Sequence, residues 1–136
     1  MSTDFLEKTY LTTHELAIGT FRFYEQVVVG RVREGLQISM DNVLPLLALS
    51  WEAYRDTSVV YISDRKYSYS LDPTMYYEVQ KLAPHITGYT WVVYNEINRK
   101  IAELEARFVQ CPTAIHPDLD TALQWSVDLL QNEGES

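Results

Sequence analysis

Residues 59–73 read Val59-Val60-Tyr61-Ile62-Ser63-Asp64-Arg65-Lys66-Tyr67-Ser68-Tyr69-Ser70-Leu71-Asp72-Pro73. The first four form a short continuous apolar run bounded by polar residues, the pattern of a central strand buried on both faces. The last two form a helix start, because Asp accepts from orphan N–H groups and Pro lacks one of them. The segment between, Ser63 to Leu71, is then a loop at the carboxyl end of a central strand. A helix should follow to about Ala83, with Met75, Tyr76, Val79 and Leu82 as its apolar face, and Pro84 stops it.

Working outward, Gly88 precedes a second buried run, Tyr89-Thr90-Trp91-Val92-Val93-Tyr94. Asn95 can cap the next helix, in which Ile97, Ile101, Leu104 and Phe108 fall at spacings that predict one buried stripe. Glu96 with Lys100 and Glu103 with Arg107 are spaced as exposed i, i+4 pairs. Cys111-Pro112 ends this element, Thr113-Ala114-Ile115 suggests a short edge strand, and Asp118 or Asp120 starts a last helix through Leu130. Upstream, Leu16 to Phe23 and Val27 to Val32 read as a hairpin around Tyr24-Glu25-Gln26. Gly35 ends it, and Ser39 to Asn42 caps a helix reaching about Tyr54, with Pro45 in or near its first turn. The order predicts one α/β domain over residues 1–136, core about 16–130 with frayed termini. Its mixed, mainly parallel sheet has four to five strands, an N-terminal β-hairpin and about four helices.

Composition narrows the function classes. Lys and Arg number 11 against 19 Asp and Glu, a formal charge of -8, which argues against nucleic acid, whose binding draws on cationic side chains. Acids outnumber bases nine to seven in residues 1–70 and ten to four in residues 71–136. The excess therefore sits in the second half, with a local basic pair at Arg65-Lys66. The single cysteine, Cys111, excludes an intramolecular disulfide and suits a reducing cytoplasm. No apolar stretch approaches the ~20 residues of a membrane span, and Met1 to Lys8 lacks the design of a secretory signal. A cytoplasmic protein is expected.

The element order, with Val60-Tyr61-Ile62-Ser63-Asp64-Arg65 followed by Tyr69-Ser70-Leu71-Asp72-Pro73, resembles the small bacterial SpoIIAA-like proteins. These belong to the STAS group and share features with Sec14-type lipid-binding domains. The resemblance covers about Leu16 to Leu130 and implies a SpoIIAA-like fold and a regulatory module that works by protein contacts. Partner-switching members carry a phosphorylated serine near the start of the helix after the third strand, a region corresponding here to Ser68 to Thr74. This chain reads Leu71-Asp72-Pro73-Thr74 where the pattern has Asp, then Ser or Thr, then Gly. No residue matches the phosphoacceptor one to one, and Ser68, Ser70 and Thr74 are candidates by neighbourhood.

The candidate binding residues are Arg65, Tyr67, Tyr69 and Tyr76. Ligands in open α/β sheets bind outside strand carboxyl ends, and tyrosine offers apolar area with a polar tip. They hold either a protein partner or a small anionic or amphipathic ligand; alternatively the tyrosines cover the core and Arg65 pairs with an acid. His14, His85 and His116 lack ligand spacing, so no metal or other cofactor is expected. Neither a Gly-x-Ser-x-Gly nor a phosphate-cradling glycine loop occurs. Cys111, at a helix end, lacks an activating setting. The expectation is a non-enzymatic binding or regulatory module, with a Sec14-like small-molecule or lipid carrier as the alternative and a small enzyme behind both. The partner is unidentified, and a homodimer is expected on base rate.

Overall fold

Successive residues of a strand point to opposite faces, and both faces of the central strands here are apolar, so the chain has to cover two sides of one sheet. The computed structural model describes residues 7–135. Residues 1–6, on which the reading of the leader and of the frayed start falls, lie outside them. Residues 7–9 are helical and lead into a meander of β1 (Tyr10–Leu16), β2 (Gly19–Tyr24) and β3 (Val27–Val32). There follow β4 (Gln37–Ile38), α1 (Met40–Tyr54), β5 (Val59–Arg65), β6 (Ser70–Leu71), α2 (Met75–Leu82), β7 (Ile86–Val93), α3 (Glu96–Ala106), β8 (Thr113–His116) and α4 (Leu119–Glu135).

The main sheet has six strands in the order β1-β2-β3-β5-β7-β8, while β4 and β6 form a separate two-stranded ladder. The pairs β1–β2 and β2–β3 are antiparallel, and β3–β5, β5–β7 and β7–β8 are parallel. The expected mixed α/β sheet is therefore present, but with six strands rather than four to five. The correction lies at the start, where the run Leu16 to Phe23 is not one strand. The chain turns at Ala17-Ile18, and β1 precedes it. That edge strand has no buried residue, so it carries no apolar alternation to read. Gly19 allows the turn because a Cβ there would overlap the Arg31 carbonyl oxygen of β3. Gly35, at φ +79°, ends the meander in the left-handed region that favours glycine.

Each parallel strand is added beside the last, and crossovers of one hand then place their helices on one side. Accordingly α1, α2 and α3 cover one face, over Phe21, Phe23, Val28, Val59, Tyr89 and Trp91. On the other face α4 covers Val27, Val29, Val60, Ile62 and Val92 with Ala122 and Leu123. The caps follow the sequence signals. Asn42 Oδ1 accepts from the Ser39 N–H at 2.9 Å, Asn95 Oδ1 from the Asn98 N–H at 2.8 Å, and Asp118 Oδ1 from the Thr121 N–H at 2.8 Å. Asp72 Oδ1 likewise accepts from the Thr74 N–H at 3.0 Å. Residues 73–74 form a tighter turn, however, so α2 begins at Met75. Pro45 sits past the first turn of α1.

One helix is turned away from its expected face. The buried residues of α3 are Asn98, Ala102 and Glu105, whereas Ile97 is 73% and Leu104 46% exposed. The two charge pairs read along it are not closed as ion pairs among the described residues. Its polar inner face has a specific cause at the end of β5.

Candidate functional site

Sequence reading placed Ser63, Asp64 and Arg65 in a loop, yet they are the last three residues of β5 and all are buried. A buried charge must be paired and hydrogen-bonded, and each is answered on its own side of the sheet. On the α4 side, Asp64 accepts from Arg31 Nη2 at 2.7 Å and from Tyr94 Oη at 2.7 Å. On the other side, Arg65 donates to Glu105 of α3 from Nη1 at 2.7 Å and from Nη2 at 3.1 Å. The same carboxylate accepts from Tyr76 Oη at 2.7 Å and from Trp91 Nε1 at 3.3 Å. This is why α3 turns Glu105 inward. Burial opposes the charge on Arg65, but Tyr69 and Glu105 more than offset it and raise its pKa. Burial, with Glu105 next, pushes the Tyr76 hydroxyl well above its ordinary value.

The candidate residues thus divide. Arg65 is 1% exposed, its guanidinium stacks 4.2 Å from the centre of the Tyr69 ring, and its charge is matched by Glu105. Tyr69 also lies 3.2 Å from the Ser63 hydroxyl. Tyr76 joins the same cluster through Glu105. Tyr67, by contrast, is 41% exposed, and Ser68, Ser70 and Thr74 are exposed around it. The Ser68 N–H donates to Glu34 at 2.7 Å, and Thr74 Oγ1 donates to Asp72 at 2.8 Å.

Behind Tyr69 and Tyr76 the sheet and helices leave a cavity of about 90 Å³. Its floor is β3, β5 and β7, its sides are α1 and α2, and Ile38 and Leu71 of the small ladder contribute to its wall. Gly30 of β3 and Ser63 of β5 are partners on adjacent strands, and the room beside Gly30 seats the Tyr61 ring, which lines the cavity. Tyr61 leans into the gap, its ring carbon Cζ 2.8 Å from where a Gly30 Cβ would stand. α2 lies over this space and has no fully buried residue, although Met75, Tyr76 and Val79 face it.

The wall is apolar with few polar groups, and among the described residues it contains no Asp, Glu, Lys or Arg. His85 is one of the polar groups, 5% exposed. The Ser50 hydroxyl donates to the Leu47 carbonyl at 2.9 Å, and its oxygen lies 3.1 Å from His85 Nε2. His85 Nδ1 is buried without a partner among the described residues, as is the Tyr89 hydroxyl in the same wall. Burial lowers the His85 pKa, which keeps the ring neutral. Gly30, Tyr61, His85, Tyr89 and Glu105 were not singled out as site residues from sequence. A glycine inside a strand run does mark a close approach, and that signal was available at Gly30.

Cys111 is half-buried, its thiol pushed up to about 11 mainly by burial. Among the described residues, no helix is long and apolar enough to cross a membrane. Comparison with protein-family models, with curated proteins and with solved structures finds no match to this chain.

Proposed function

We propose that the chain is a binding module for a small, uncharged, mainly apolar molecule carrying one hydrogen-bonding group such as a hydroxyl. The observation that carries this reading is the cavity between the sheet and helices α1 and α2, apolar, free of charged side chains among the described residues and lined by two residues with unpartnered polar atoms, His85 Nδ1 and the Tyr89 hydroxyl. Ligand sites are concave and mostly apolar, with few polar groups that orient the guest. A dry cavity of comparable order admits benzene. A carboxylate would enter without a counter-charge, at a large desolvation cost. Arg65 supplies none, because Glu105 already neutralises it. This is the carrier alternative in narrower form, uncharged rather than anionic.

The test is thermal unfolding with three probes of one shape: toluene, benzyl alcohol and benzoate. Ligands that bind only the folded state raise the melting temperature with concentration. Toluene and benzyl alcohol are expected to raise it and benzoate to leave it unchanged. Gly30→Ala should push the Tyr61 ring into the cavity and abolish the rise. Val43→Trp, filling the space from half-exposed α1, should do the same if the first variant folds poorly. No rise with either neutral probe, in a chain that unfolds cooperatively, would sink the reading.

A second reading, a STAS-like regulatory module acting on a protein partner, is favoured by the exposure of Tyr67 beside Lys66. It expects a native-host pull-down to recover a specific partner that Tyr67→Ala loses. Recovery of the same proteins by both forms would argue against that surface.

A further inference from the structure

The outward stripe of α3 is only partly covered among the described residues, and its pattern identifies what fits it. Ile97, Ile101, Leu104 and Phe108 follow one another at spacings of four, three and four, the seam spacing of a helix that packs on another helix. Ile97 and Leu104 are among the exposed large apolar residues, and Ile101 and Phe108 are half-buried. Tyr77, 45% exposed, extends the patch through an edge-to-face contact with Phe108 at 5.6 Å between ring centres. Apolar patches of this kind mark interaction sites. Each seam residue is preceded by an exposed charge, in the order Glu96, Lys100, Glu103, Arg107. None of these charges closes an ion pair among the described residues.

Both patterns have the same symmetry. Spacings of four, three and four read identically in reverse, while the order acid, base, acid, base becomes base, acid, base, acid. We propose that α3 and the turn Arg107-Phe108 that follows it pack antiparallel on the same segment of a second copy about a two-fold axis. Ile97 then meets the partner's Phe108, and Ile101 meets the partner's Leu104. Along the flank Glu96 faces the partner's Arg107, and Lys100 faces the partner's Glu103. Every contact occurs twice, as an isologous interface requires. A parallel pairing in register would instead set all four charges against their own kind. The order of charges therefore selects a second copy and its orientation together. An 11-residue helix is about 16 Å long, so the interface lies at the small end of specific contacts and dissociates on dilution.

Sedimentation equilibrium of the full chain over a concentration series reads the association directly. Wild type is expected to show a reversible monomer–dimer equilibrium. Lys100→Glu places like charges opposite each other at two symmetric points and should weaken the dimer by about tenfold. The double variant Lys100→Glu with Glu103→Lys restores opposite charges and should return the dissociation constant close to wild type. These positions are exposed, so the fold is not at stake. A monomer at every concentration overturns the proposal. So does a dimer indifferent to Lys100→Glu, or one that the double variant fails to rescue, because either would place the contact elsewhere.

Discussion

Replacing Glu105 with leucine is expected to remove about 3–5 kcal/mol of unfolding free energy, the cost of leaving a buried charge without its partner. Arg65 has a fully buried side chain, and the Glu105 carboxylate answers it through two hydrogen bonds. Tyr76 Oη and Trp91 Nε1 would lose their acceptor in the same step. Removing the charge along with its partner has the opposite logic. A well-packed apolar pair in place of a buried ion pair is often neutral or stabilising, so Arg65→Met with Glu105→Leu should recover most of the loss. Urea denaturation of the two variants, read as a double-mutant comparison, checks both halves. A loss below about 1 kcal/mol in the single variant would mean that water or another group reaches Arg65.

Gly19→Ala is the second large effect expected, and it acts on backbone. A Cβ at this position overlaps the Arg31 carbonyl oxygen and stands 2.9 Å from Val32 Cα. Gly19 and Val32 are register partners at the end of the β2–β3 ladder. No rotamer change relieves a clash with a neighbouring strand, so the strands must part where the β1–β2 turn ends. The loss should reach at least the ~1–3 kcal/mol typical of overpacking, with weakened protection of the β1–β2 amides in hydrogen exchange. Protection unchanged in β1 would show that the turn yields without disturbing the ladder.

What could be read from sequence follows from which signals are local. The runs Val59 to Ile62 and Tyr89 to Val93 are covered on both faces, Tyr94 being exposed beyond the strand, and the caps at Asn95 and Asp118 lie next to the helices they start. These elements were therefore legible. β1 was not, because an edge strand with no buried residue carries no apolar period. The end of β5 was missed because Ser63-Asp64-Arg65 reads as a polar loop until its partners are known, and those are Tyr69, Arg31, Tyr94 and Glu105, up to 40 residues away. The same long-range pair explains the error on α3. Periodicity found the stripe of Ile97, Ile101, Leu104 and Phe108 correctly, but burial of Glu105 turned the helix by about one residue, roughly 100°. The seat of the Tyr61 ring beside Gly30 depends on a register between strands that no single segment encodes.

The strand order has one further consequence. Since every strand of the main sheet lies beside its predecessor in the chain, the sheet can grow in the order in which residues leave the ribosome, and domains do form during synthesis from the amino-terminal side. Of the elements described, α4 is made last, and it alone closes the face bearing Val27, Val60, Ile62 and Val92. Until it is made, the strip of Val27, Val60, Ile62 and Val92 lacks its cover, so closure of the domain as a unit waits on the last helix.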